Sequence, residues 1–173
     1  MSWSERLSSG TGRRRFLLVA TALPLAGCGF ELRRAPDLRF RSIQLSGFKP
    51  HSPLADELRL SINSSTTTVV VDNVAQAQVV LEALDDVREK VVVASNAVGQ
   101  VTELQMRSRF SFRLRSVTGR ELIARTDIVL TRDMNYTESA ALGKEQEANF
   151  LYRAMQTDIV TQVMRRLASV QTF

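Results

Sequence analysis

From Leu104 to Arg115 the chain reads LQMRSRFSFRLR, with apolar side chains at alternating positions. Leu104, Met106, Phe110, Phe112 and Leu114 share one parity, and Gln105, Arg107, Arg109, Ser111, Arg113 and Arg115 share the other. A helix would scatter both sets around its circumference, whereas a strand sorts them onto two faces. The stretch therefore predicts a long strand with one buried and one wet face, as antiparallel sheets have. SVTGRE turns the chain around Thr118-Gly119. LIARTDIVLT then returns, with Leu122, Ala124, Ile128 and Leu130 expected on the buried side.

Other segments fit around this hairpin. LRFRSIQLSGF reads as a strand ending near Gly47, with Leu38, Phe40 and Ser42 on one side and Arg39, Arg41 and Ile43 on the other. SPLADELRLSIN reads as a helix: Ser52 is a suitable N-cap, Pro53 suits the first position, and Asp56 and Glu57 favour the positive end. Leu54, Leu58 and Ile62 form its apolar stripe. TTTVVVD is a β-branched strand. AQVVLEALDDVREKVVVAS is a longer extended segment, bulged or interrupted near Asp85-Asp86, and a turn follows at Asn96 to Gly99. From about Ser139 to Val170 a long helix carries Leu151, Met155, Ile159, Val163 and Leu167 on one ladder, with Ala148 and Tyr152 in support. Glu145 and Glu147 near its start, and Arg165 and Arg166 near its end, suit the helix dipole. The expected class is α+β: a two-layer sandwich with two helices on one face of a four- to five-stranded, mostly antiparallel sheet, the other face exposed.

The first thirty residues have the parts of an export signal. Arg6, Arg13, Arg14 and Arg15 precede the apolar run Phe16 to Ala26, which is too short for the ~20 residues of a spanning helix. Leu25-Ala26-Gly27-Cys28 resembles a bacterial lipobox, and Cys28 is the only cysteine of the chain. On that reading residues 1–27 are removed. Cys28 is then acylated on its amino group and carries a diacylglycerol on sulfur, residues 28–37 form a tether, and 38–173 form one domain. The plainer reading is an ordinary signal peptide with a cysteine near its cleavage site. RRRFLL also resembles a twin-arginine signal, although no cofactor motif downstream calls for folding before export. In enteric-type lipoproteins an aspartate after the cysteine favours the inner membrane, so Gly29 leans toward the outer one.

Charge excludes one broad class. The whole chain has a net charge of +5, but residues 1–27 hold four of the 23 basic and one of the 18 acidic residues, which leaves +2. A nucleic-acid partner is not indicated. Catalysis is not indicated either. His51 is the single histidine and lies in a KPHSP loop, without the companions a zinc site or a nucleophilic triad would need. No phosphate-cradling glycine motif occurs, and no cofactor or metal is expected.

The remaining feature is the row Arg107, Arg109, Arg113 and Arg115. Alternate strand residues stand ~6.8 Å apart, so the row spans roughly 25 Å. Its plain reading is a solvated face neutralised by acids on the next strand, Glu121 and Asp127. Its functional reading is a surface for a phosphate-rich anion, which arginine binds bidentately.

Three stretches, in this order, resemble the LptE family of lipopolysaccharide-assembly lipoproteins. They are AGCGFELR (Cys28, Gly29, Phe30, Leu32, Arg33), GQVTELQM at the hairpin entry, and YTESAALGKEQEANFLYRAMQTDIVTQVMRRL. The resemblance implies a non-enzymatic, lipid-anchored protein at the periplasmic face of the outer membrane. It would plug and help assemble an LptD-type β-barrel and assist lipopolysaccharide transport. It also implies basic residues just before the last helix, where Lys144 matches, and on the loop entering the hairpin, where this chain has the uncharged SNAVG. The candidate lipopolysaccharide contacts are thus Lys144, Arg107, Arg109, Arg113 and Arg115. The alternative is an auxiliary outer-membrane lipoprotein of a different lipid-transport system.

Overall fold

Chain order and pairing set the architecture. In the computed structural model, which describes residues 36–171, the elements are β1 (Ser42–Ser46), α1 (Pro53–Asn63), β2 (Val69–Val71), β3 (Val79–Ser95), β4 (Val101–Ser116), β5 (Glu121–Asn135) and α2 (Ala141–Ala168). The strands form one sheet in the order β2-β1-β3-β4-β5. β1 runs parallel to both its neighbours, while β3, β4 and β5 form an antiparallel meander. The sheet is therefore mixed, with antiparallel pairing along most of its length. Both helices pack on one face, as the sequence predicts.

α1 forms where its caps place it. The Ser52 hydroxyl accepts from the Ala55 N–H at 3.3 Å, Pro53 opens the first turn, and Leu54, Leu58 and Ile62 are buried. Their partners are Phe40, just ahead of β1, and on the sheet Ile43, Leu81, Phe110, Phe112 and Leu114, all fully buried. Each such side chain contributes on the order of 1.5–3 kcal/mol. Ile159, Val163 and Leu167 of α2 complete this cluster. A second, smaller cluster gathers Met106, Met134, Ala148, Tyr152 and Met155 near the start of α2. Ser108 is buried on β4 between Met106 and Phe110, and its hydroxyl has no hydrogen-bond partner among the described residues.

α2 is fastened to the sheet by polar contacts as well. The Tyr152 hydroxyl donates to the Glu89 carbonyl at 2.7 Å, and the Arg88 guanidinium lies 5.7 Å from the Tyr152 ring centre. Arg132 pairs with Asp158 at 3.1 Å, and Lys90 pairs with Glu145.

Three local expectations change. β1 begins at Ser42, and Leu38, Phe40 and Ile43 are all buried, so the alternation slips between Phe40 and Ile43. The cause is that residues 38–41 are held mainly by side chains: the Leu38 N–H bonds Thr67 Oγ1 at 3.3 Å, the Arg41 N–H bonds Gln78 Oε1 at 2.6 Å, and Thr68 Oγ1 donates to the Phe40 carbonyl. On β5, Ala124 is exposed. Register shifts opposite Phe112 to Arg115 put the start of this strand out of phase, and both Leu122 and Ile123 rest against the core. The last helix starts at Ala141, after a 3-10 turn at Glu138–Ala140.

Gly47 ends β1 with φ +79, and a Cβ there would lie 2.2 Å from the Ala83 carbonyl oxygen. The chain passes so close to β3 at this point that only glycine fits.

Candidate functional site

The arginine row is built by β4. Leu114, Phe112, Phe110 and Met106 turn inward, which sends Arg115, Arg113, Arg109 and Arg107 to the face away from the helices. A β-bulge in β3 decides what meets them. Its register with β4 shifts between Ala83 and Asp85, so Leu84 is the extra residue. Glu82 and Asp85 consequently both stand on the open face beside the row, and Asp86 turns toward α1.

This brings carboxylates within reach of three arginines. Arg109 pairs with Asp85 at 2.8 Å, Arg113 with Glu82 at 2.8 Å, and Arg115 with the same Glu82 at 3.7 Å. Arg107 has a single hydrogen bond, at 3.4 Å, to Gln105, and forms no ion pair among the described residues. The partners thus come from β3, whereas the sequence pointed to Glu121 and Asp127 on β5. Asp127 instead lies 3.6 Å from Arg125 and directly opposite Ser111. The Ser111 hydroxyl and Arg125 hold its carboxyl below the ordinary carboxylate range. By register, Glu89 and Asp133 also share this face. The result is a cationic strand between two acid-bearing ones, not a uniformly basic surface.

Lys144 lies elsewhere. It sits in the first turn of α2, on the helix side of the sheet, and its ammonium is 2.8 Å from Glu147. Together with Lys90, Leu104, Tyr136 and Val98 it borders an open groove of about 880 Å³ between the β3–β4 turn and the start of α2. The structure therefore does not bring Lys144 together with the arginine row. His51 is exposed in the loop before α1 with φ 57, away from any second candidate. No group of three or more potential metal ligands occurs among the described residues. Cys28 and all of the tether except Pro36 and Asp37 lie outside the described residues.

Asp86 faces the N-terminus of α1. Burial pushes its carboxyl above the ordinary range, and Arg88, Lys49 and the Ser52 hydroxyl only partly offset this. Sequence reasoning missed Glu82 and Asp85 as arginine partners. The signal was the run VVLEALDDV, in which the odd-numbered apolar alternation Val79, Leu81, Ala83 is interrupted by Leu84.

A family model described as LptE, lipopolysaccharide-assembly, matches residues 40–167. The chain belongs to the LptE family. The match takes in the arginine row, the groove and nearly all of both layers. LptE-family proteins are non-enzymatic assembly lipoproteins, which agrees with a chain whose functional groups are surfaces. The LPS-assembly lipoprotein LptE of Photorhabdus laumondii is 25% identical over 156 residues, covering 89% of this chain and 84% of that protein. The solution structure of an uncharacterized lipoprotein B from Nitrosomonas europaea superposes with a TM-score of 0.70 at 26% identity, covering 82% of this chain and 91% of that one. The rare lipoprotein B of Shewanella oneidensis has the same fold, with a TM-score of 0.64 at 19% identity over 75% of this chain and 95% of that one.

Proposed function

We propose that this LptE-family chain is anchored in the outer membrane through acylated Cys28. It plugs the lumen of an LptD-type β-barrel, helps that barrel assemble, and assists lipopolysaccharide on its way to the outer leaflet. The observation that carries the reading is the family match across residues 40–167. The LAGC stretch supports it by supplying the expected anchor, since several acyl chains at about 0.8 kcal/mol per methylene hold a small domain firmly.

Within this reading Arg107, Arg109, Arg113, Arg115 and Lys144 contact lipopolysaccharide phosphates. Their acidic neighbours do not exclude that role. The side chains of the paired arginines are all at least 40% exposed, and exposed pairs of this kind are worth about 0–1 kcal/mol. A phosphate that binds an arginine bidentately can displace them.

The test is co-purification. Tagged full-length protein, extracted from outer membranes in detergent, should retain a large β-barrel protein and carry thioether-linked diacylglycerol at Cys28. Recovery without any barrel protein would end the plug reading. A chain that takes up no fatty acid would end the anchor.

A further inference from the structure

The cations at the two ends of the sheet are engaged differently. One end collects the starts of β1, β2, β3 and β5 and the finish of β4. α1 finishes there too, where Asn63 Oδ1 accepts from the Val70 N–H at 2.8 Å, and α2 runs back toward it from the opposite end. Gln78 ties two of its loops together: its side chain accepts from the Arg41 N–H, and its carbonyl accepts from the Val117 N–H at 3.3 Å. Arg39 and Arg41 ahead of β1, Arg120 in the β4–β5 turn, and Arg165 and Arg166 in the last turn of α2 therefore gather at this end. None of the five makes an ion pair among the described residues. The acids nearby are Asp37, which accepts from Thr66, and Glu121. At the opposite end Lys90 and Lys144 are both paired, with Glu145 and Glu147.

Helix-dipole stabilisation accounts for Arg165 and Arg166 alone. Arg39, Arg41 and Arg120 come from other segments, and all three are exposed. The chain itself points to the occupant. Asp37 and Leu38, at the start of the described residues, bond Thr66 and Thr67 at this end. Residues 28–35 can span no more than roughly 28 Å, so Cys28 cannot lie farther than that from Pro36. Two further arginines, Arg33 and Arg34, fall in that stretch.

We propose that this end docks on the anionic phospholipid headgroups of the leaflet that holds the acyl chains. A negative membrane surface attracts basic groups within about a Debye length, ~10 Å at 0.1 M salt, and arginine binds phosphate bidentately. The arginine row of β4 and Lys144 take no part. The contact belongs to the lipoprotein before a barrel takes it up, when the acyl chains are its other hold on the membrane, and it is given up on entry into a lumen. It rests on the anchor at Cys28 and not on the plug.

Energy transfer to the bilayer tests it. Full-length, processed protein receives one added cysteine, Val117→Cys at this end or Val98→Cys in the β3–β4 turn, both exposed, and is labelled there with a fluorescent donor. The 16 residues of β4 set the two positions about 50 Å apart. Vesicles with an acceptor on their headgroups are either phosphatidylcholine or a mixture with about one third phosphatidylglycerol. Transfer from residue 117 should be at least about twofold higher on the anionic vesicles, transfer from residue 98 should not rise, and about 0.5 M salt should abolish the difference. Arg39→Glu, Arg120→Glu and Arg165→Glu together should bring transfer from 117 down to its value on phosphatidylcholine. Arg120→Glu alone should lower it, whereas Arg153→Glu, the same charge change at an exposed position in the middle of α2, should not. If the triple variant does not fold, as judged by circular dichroism, the salt dependence of the native chain decides. Flotation with phosphatidylcholine vesicles checks the anchor separately, and protein found to lack it should still float with the anionic vesicles at low salt. Failure of that flotation, equal transfer from 117 on both vesicles, a matching rise at 98, or equal loss in Arg153→Glu and Arg120→Glu would overturn the proposal.

Discussion

At Gly47 the backbone has positive φ, and a Cβ would enter the space of the Ala83 carbonyl oxygen. Gly47→Ala must therefore separate β1 from β3 or strain both. A cost above about 2 kcal/mol is expected, measured as a fall in the urea midpoint at unchanged slope. Asp86 acts through its charge. Its folded pKa lies above the unfolded value of 3.8 because burial disfavours the carboxylate. The folded state thus holds its proton more tightly, and stability contributed by this group rises as pH falls through the raised value toward 3.8. Against Asp86→Asn, the native chain should be the less stable near neutrality and should close the gap on acidification. A gap that widened in acid would refute the assignment. Asp127 has the opposite sign: its depressed pKa keeps its contribution intact until pH falls below 3.8 toward the folded value.

Among the elements, α1 shows most directly how sequence becomes structure. Ser52, Pro53 and the Leu54, Leu58, Ile62 stripe carry start, direction and buried face in a dozen letters. Removing the cap with Ser52→Ala should cost about 1 kcal/mol in chemical denaturation. β4 was equally legible, because from Leu104 to Arg115 one face is apolar except at Ser108 and the other is polar throughout. β1 was not, since its parity slips where side chains from Thr67, Thr68 and Gln78 replace strand partners. In β3 the bulge at Leu84 was visible only approximately, because valine, alanine and leucine occur on both of its faces. That uncertainty passed to the site: whether Glu82 and Asp85 meet the arginines depends on a one-residue offset, and periodicity within β4 carries no information about its neighbour's register. Lys144 could be placed at the start of the last helix, but not on the opposite side of the sheet from the arginines, because strand order is a property of the assembled layers.

Over the whole molecule, the candidate lipopolysaccharide contacts are distributed between two surfaces, so their effects should be separable. Charge reversal at Arg107 and Arg109 should weaken lipopolysaccharide binding and flatten its salt dependence, and reversal at Lys144 should add to this as an independent change. Glu82→Gln should have the reverse effect, because it releases Arg113 and Arg115 together. Affinity that ignores all of these substitutions at low salt would remove the open face and the groove from the lipopolysaccharide path.

Ser108 marks a seam between the two apolar clusters, and the smaller of them holds the first half of α2 with only a handful of side chains. That end of the molecule can let go while the other stays folded. Amide protons from Ala148 to Met155 should therefore exchange with deuterium through a partial opening, at a rate insensitive to low denaturant. Those from Ile159 to Leu167 should wait for the chain to come apart as a whole.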